Sequence, residues 1–195
     1  MRFLTQIVVN KTDAARRNIR DAYTWHQMLW KSYSGYEEKK RPFLFRIDDM
    51  HQNFRVLTLS STLPESQGWG RWQTKTIAPS FLQHPAYAFQ LKANPTMRRC
   101  QDRRRLGIYG EKQLHEWFSR KAEQNGFSII NNSLHIGAPM DEIFVRQNRR
   151  GKHVGVEFSG AITVSTPSAF KNAFEKGIGT GKSFGFGMLL LQPIQ

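Results

Sequence analysis

Tyr23 and His26 stand three residues apart in Arg20–Trp30, a segment with the apolar spacing of a helix, so they share one helix face. An imidazole near its ordinary pKa of about 6.5 can exchange protons at neutral pH, and a phenol beside it can orient or assist. On spacing alone, a histidine on an aromatic helix is more often a packed residue than a proton carrier. His51, His84, His115, His135 and His153 are too scattered to suggest a metal site. Asp48-Asp49 and Asp141-Glu142 are carboxylate pairs of the kind a metal-dependent nuclease uses, although adjacent carboxylates more commonly mark solvated turns. The single cysteine, Cys100, excludes an intramolecular disulfide and a cysteine-based zinc site.

Gly177–Gly187 carries five glycines around Lys182-Ser183 and invites comparison with a phosphate-binding loop. The Walker pattern fails, because position 176 is Lys and the context is helix before strand, the reverse of what that loop needs. A glycine-rich turn can instead bring backbone N–H groups close to phosphates, or simply join a helix to a strand tightly.

The charge balance names the class of partner. The chain of 195 residues has a net charge of +14, and residues 1–90 and 91–195 contribute +6 and +8, so the excess is no detachable tail. Such a protein seeks a polyanion. Basic residues concentrate at Arg98, Arg99, Arg103, Arg104 and Arg105, and again at Arg146, Arg149, Arg150 and Lys152. A charge run is usually a solvated face, but the overall charge turns the odds toward phosphate contacts. No segment approaches the roughly 20 apolar residues of a membrane span, and the N-terminus has no apolar signal core. The expectation is a cytoplasmic protein that binds no membrane.

The elements that must position these groups read as two similar runs. In the first, Phe3–Val9 is a strand, Asp13 caps a helix from Ala14, and Asp21 caps or restarts it. Tyr23–Trp30 continues in helical spacing, Gly35 and Pro42 close the segment, and Phe43–Ile47, Phe54–Leu59 and Gln73–Ile77 are strands. A second helix in this run is poorly supported. In the second run, Tyr87–Ala93 is a strand and the arginine-rich stretch a loop. Glu111–Asn125 is a helix with Leu114, Trp117, Phe118 and Ala122 on one face. Phe127–Ile130, Glu142–Arg146 and Val154–Val164 are strands, with a hairpin tip at 148–152. Pro167–Lys176 is a helix, and Phe184–Leu191 the last strand. Each run approximates strand-helix-strand-strand-helix-strand, the split βαβ pattern. The expected fold is α+β, with two tandem ferredoxin-like domains at 1–84 and 85–195.

Three stretches, in order along the chain, resemble a known family. The glycine-rich end, from Ala161–Ser165 through Ala169–Gly177 to Leu191, is similar to that of CasE-type CRISPR repeat endonucleases, in the repeat-associated RNA-binding superfamily. Leu91-Lys92-Ala93-Asn94-Pro95 resembles the family's entry to its second domain, and Arg20–Trp30 its helix bearing Tyr-x-x-His. The resemblance implies cleavage of CRISPR precursor RNA at a repeat stem-loop without a metal or other cofactor. The product stays bound within the type I-E surveillance complex, whose other subunits are then partners. It also implies His26 as catalytic residue with Tyr23 its neighbour, and Lys31 and Ser34 as further polar residues of the site. Arg98, Arg99, Arg103, Arg104, Arg105, Arg149, Arg150, Lys152 and Lys182 are the expected RNA contacts. The chemistry suits such a site, because RNA supplies its own 2′-hydroxyl nucleophile and needs only proton transfers and charge stabilisation. A non-catalytic ferredoxin-like RNA-binding protein is the alternative.

Overall fold

A computed structural model describes residues 1–33, 42–102, 104–146 and 149–194. Ser34, Gly35, Arg103 and Asn148 lie outside the described residues. The chain forms two compact units. One comprises Met1–Pro79 with Phe144–Gly151 and Ser183–Gly185; the other comprises Ser80–Ile143, Lys152–Lys182 and Phe186–Gln195.

The first unit starts with β1 (Arg2–Asn10), α1 (Lys11–Arg16) and α2 (Ala22–Trp30), followed by β2 (Phe43–Asp49), β3 (Asn53–Ser60) and β4 (Arg71–Ile77). Its antiparallel sheet runs β2-β3-β1-β4. Ile7, Val9, Phe45 and Val56 from the sheet bury their side chains against Trp25 and Leu29 of α2, which are four residues apart and so project to one side of the helix. The first helix begins earlier than the sequence suggests. Asn10, not Asp13, is its N-cap, and its side chain accepts a hydrogen bond from the Thr12 N–H. Residues 61–70 contain no helix; Pro64, Gly68 and Gly70 interrupt any helical run there.

The remaining elements are β5 (Ala86–Ala93), β6 (Thr96–Arg98), β7 (Arg105–Gly107), α3 (Glu111–Gln124), β8 (Phe127–Ile129), β9 (His135–Ile136), β10 (Met140–Arg146), β11 (Arg149–Val164), α4 (Pro167–Lys176) and β12 (Leu189–Pro193), all in the second unit except the end of β10 from Phe144 and the start of β11 through Gly151. The main path of its sheet is β10-β11-β5-β12, with β8 and β9 also paired to β11. Tyr87, Phe89 and Leu91 alternate along β5 and meet Leu114, Trp117, Phe118 and Ala122 of α3 and Phe170 of α4 in one buried cluster. Both sheets thus follow the strand order of a split βαβ unit, and the chain is α+β with two ferredoxin-like domains.

Three readings change. Arg149–Lys152 are no hairpin tip but the opening of β11, which begins five residues before Val154. The arginine-rich stretch is not a plain loop: β6 and β7 form a short hairpin that pairs Arg98 with Arg105. The last strand begins at Leu189 rather than Phe184. Gly185 and Gly187 adopt φ of +84° and +86°, which breaks the extended run that Phe184–Leu191 suggests. The Gly187 N–H donates to the Lys92 carbonyl, and its own carbonyl accepts from the Ile178 N–H.

Candidate active site

Helix α2 is held at its start by a reciprocal cap. Asp21 has an extended backbone (φ −150°), its Oδ1 accepts from the Thr24 N–H at 2.9 Å, and Thr24 Oγ1 accepts from the Asp21 N–H at 3.1 Å. With Trp25 and Leu29 facing the core, Tyr23, His26 and Trp30 fall on an adjoining side, at i, i+3 and i+7. His26 is half-buried, and its ring lies 5.5–5.9 Å from those of Trp30, Phe43 and Phe45. Phe43 and Phe45, two apart on β2, project to one face of the sheet and wall one side of the imidazole. Tyr23 OH accepts from Gln27 Nε2 at 3.3 Å.

Two further segments of the same unit reach this helix. Phe184 of the glycine-rich loop lies 6.4 Å, centroid to centroid, from Tyr23 and 4.2 Å from Phe144. Asp21 Oδ2, the oxygen opposite the capping one, accepts from the Val145 N–H at 3.1 Å. One carboxylate therefore starts the helix and anchors the end of β10. Neither contact has a local signature, since each joins residues more than a hundred positions apart.

Lys31 takes a different place. It is the exposed C-cap of α2, and five residues after His26 puts it about 140° around the helix. There it lines a cavity of about 490 Å³ with Arg17, Thr24, Gln27, Met28 and Trp69. The structure puts Tyr23 and His26 on one side of α2 and Lys31 on a different side from His26.

The carboxylates weighed as metal ligands hold cationic side chains. Asp48 contacts Arg46 Nε at 2.6 Å and Arg55 Nη2 at 2.7 Å. Burial opposes its charge, but the two guanidiniums outweigh that and hold the carboxyl below its ordinary pKa. Asp49 pairs with Lys11, and Glu142 with Lys92 at 2.7 Å. Asp141 accepts from Tyr109 OH at 2.7 Å and Lys152 Nζ at 2.9 Å. Among the described residues no three His, Cys, Asp or Glu side chains converge as a metal site.

The basic residues of the second unit divide by their partners. Arg98 and Arg105 are exposed on the β6–β7 hairpin, while Arg99 and Arg104 both pair with Asp102 in its turn. Lys152 donates to Tyr109 OH and to Asp141, and these bonds push its pKa up to about 12. Lys182 Nζ donates to the Lys176 carbonyl at 2.7 Å and so finishes α4. In the first unit, Arg149 and Arg150 open β11, exposed to solvent.

Asn94 gives the Leu-Lys-Ala-Asn-Pro stretch a physical meaning. It is 5 % exposed, and its Oδ1 accepts from the Val154 N–H at 3.1 Å. Its Nδ2 donates to Thr180 Oγ1 at 3.3 Å and to His153 Nδ1 at 3.1 Å. One amide thus ties the end of β5 to β11 and to the glycine-rich segment. Burial lowers the pKa of His153, in keeping with an acceptor at Nδ1.

The family model described as CRISPR associated protein matches residues 2–193. The CRISPR-associated endoribonuclease Cse3 of Thermus thermophilus is 26 % identical, over 98 % of this chain and 100 % of its own. The CRISPR system Cascade subunit CasE of Escherichia coli is 26 % identical, over 95 % and 99 %. Thermus thermophilus Cse3 bound to an RNA representing a pre-cleavage complex superposes with a TM-score of 0.85 at 26 % identity, covering 98 % of this chain and 99 % of that one. No helix among the described residues is long and apolar enough to cross a membrane.

Proposed function

Because the chain belongs to the CRISPR associated protein family, we propose that it is a CasE-type endoribonuclease that binds the stem-loop of CRISPR repeat RNA and cuts the precursor into guide RNAs. The observation that carries this reading is the side of α2 that presents Tyr23 and, three residues on, half-buried His26, whose ring packs against Phe43 and Phe45. That side supplies an acid–base group in a walled setting, while the substrate supplies the nucleophile. The 2′-oxygen loses its proton and attacks the adjacent phosphorus, the bond from phosphorus to the 5′-oxygen breaks, and that oxygen takes up a proton. His26 is the group for proton transfer, with Tyr23 as its partner. Lys31, at the C-cap of the same helix, is the third residue of the site, its ammonium available to the charge that builds on the phosphate. The reaction needs no metal or other cofactor in this scheme.

In this reading the catalytic helix belongs to a domain at 1–84 and the basic hairpin and glycine-rich loop to one at 85–195, although Phe144–Gly151 and Ser183–Gly185 of the latter pack with the first compact unit. Arg149 and Arg150 are the leading phosphate contacts, joined by Arg98, Arg105 and, with charges already partly paired, Arg99, Arg104, Lys152 and Lys182. Arg103 completes the basic stretch. The product hairpin stays bound, and the protein works in the cytoplasm as a subunit of the type I-E surveillance complex beside its other subunits.

The test is incubation with candidate repeat hairpins in excess EDTA, followed by mapping of the product ends. The expected products are a downstream fragment with a 5′-hydroxyl and an upstream fragment with a cyclic or 3′-phosphate. A strict need for added divalent metal in the chemical step overturns the mechanism. Tight hairpin binding without any cleavage leaves a non-catalytic RNA-binding protein.

A further inference from the structure

An unbroken series of contacts within the first unit runs from the arginine-bearing start of β11 to helix α2. Gly151 follows Arg149 and Arg150 directly, and a Cβ placed on it would lie 2.3 Å from Phe144 Cζ. The Phe144 ring therefore occupies the space that any side chain at 151 would need. That ring meets Phe184 at 4.2 Å, a close contact, and Phe184 meets Tyr23 at 6.4 Å, within the usual range of aromatic pairs. Beside the rings, the Asp21 carboxylate links the cap of α2 to the backbone of Val145. The next residue after Phe184, Gly185, packs against Phe45, whose ring flanks His26.

Neither phenylalanine has a proton to exchange or a charge to offer a phosphate. What they possess is contact, at one end with the strand that carries Arg149 and Arg150 and at the other with the phenol of the reaction site. We propose that Phe144 and Phe184 are positioning residues: they fix Tyr23 against the RNA held by Arg149 and Arg150, so that the bridge governs the rate of cleavage rather than affinity. This rests on the reading of Tyr23 and His26 as the cleavage site. A displacement of a reacting group by about 1 Å costs on the order of 100-fold in rate, so a bridge of two rings has ample leverage.

The experiment measures single-turnover cleavage at saturating repeat hairpin, and equilibrium binding of the same RNA, for the full chain. Phe184→Ala is expected to lower the saturated rate about tenfold while changing Kd by less than about threefold, and Phe184→Tyr, which keeps the ring, restores most of the rate. The decisive comparison is a double-mutant cycle. Once Tyr23→Ala has removed the end of the bridge, adding Phe184→Ala should cost little more, whereas unconnected residues multiply their effects. Multiplicative losses overturn the proposal, as does weakened binding with an unchanged saturated rate. If Phe184→Ala fails to fold, Phe144→Leu carries the same cycle, with its melting temperature as the control. His26→Ala separates the two levels. If it cleaves normally, the reading of the site is wrong; if it is inactive while Phe184→Ala matches wild type, only the bridge is wrong.

Discussion

The first unit lays out its sheet as β4-β1-β3-β2, and the second repeats that order with β12-β5-β11-β10. In the second, α3 and α4 come from two separate connections and together bury Phe118, Trp117 and Phe170 on the sheet. In the first, both described helices come from the single connection between β1 and β2, and the compact unit includes two short segments from far along the chain. One strand order thus serves two purposes. Where two amphipathic helices cover the sheet, the unit is a scaffold with an extensive aromatic core. Where one connection supplies the helices, the side of α2 next to its buried stripe presents Tyr23 and His26, and distant segments complete its surroundings.

Substitution can break this contrast. The largest effect is expected for Phe118→Ala. Phe118 is fully buried and its ring lies 5.3 Å from Phe89 and 4.8 Å from Phe158. Its removal should cost about 3–5 kcal/mol of stability in denaturant unfolding. A loss below about 1 kcal/mol would mean that the second core is loosely packed and no scaffold. Next comes His26→Ala, which should leave folding and hairpin affinity nearly intact while cutting the single-turnover rate by on the order of 100-fold or more. An RNA with a 2′-deoxy substitution upstream of the cut should be equally inert. Normal cleavage by the mutant moves the chemistry away from α2.

A smaller, graded effect is expected for Arg149→Ala with Arg150→Ala. Every arginine–phosphate pairing that these changes remove should flatten the logarithmic salt dependence of binding by roughly 0.7–0.9. Unchanged affinity and slope would shift the grip to the β6–β7 hairpin. The smallest effect concerns His153, whose pKa burial depresses. Above an ordinary value of about 6.5 it is neutral in both folded and unfolded chains and contributes no pH dependence. As pH falls from there toward the lower folded value, only the unfolded chain gains the proton, so stability declines. His153→Gln should remove that part of the acid slope in pH-dependent unfolding, and an unaltered slope would assign it to other groups.

Local pattern made much of this legible. The α3 face of Leu114, Trp117, Phe118 and Ala122 is the buried one, and Pro167–Lys176 is helical as its Pro start and following Gly177 suggest. Tyr23 and His26 share a face because helical spacing demands it. Lys31 is expected at the site from the family resemblance alone, and helical geometry puts it on a different side of α2 from His26, five residues earlier. The contacts of Phe184 with Tyr23, and of Asp21 with Val145, are set by tertiary packing, and no spacing rule reaches across more than a hundred residues. Asn94 lies between these cases. Its neighbours mark a strand end, but its three partners appear only when β5, β11 and the glycine-rich segment meet.

The pairing of Phe184 with Tyr23 also sets an order of events during translation. A ribosome delivers Tyr23, His26 and all four strands of the first sheet well before it makes Ser183–Gly185. The early strands can pair as they emerge, since domains fold as units during synthesis. That nascent unit nevertheless lacks the ring that lies beside its phenol, and the glycine that packs on Phe45, until the polypeptide has grown past Gly185. Contacts of such long sequence separation form late, because the intervening chain must first be brought to order. The site's surroundings are therefore finished only after the second unit's strands β5 and β11 have been synthesised.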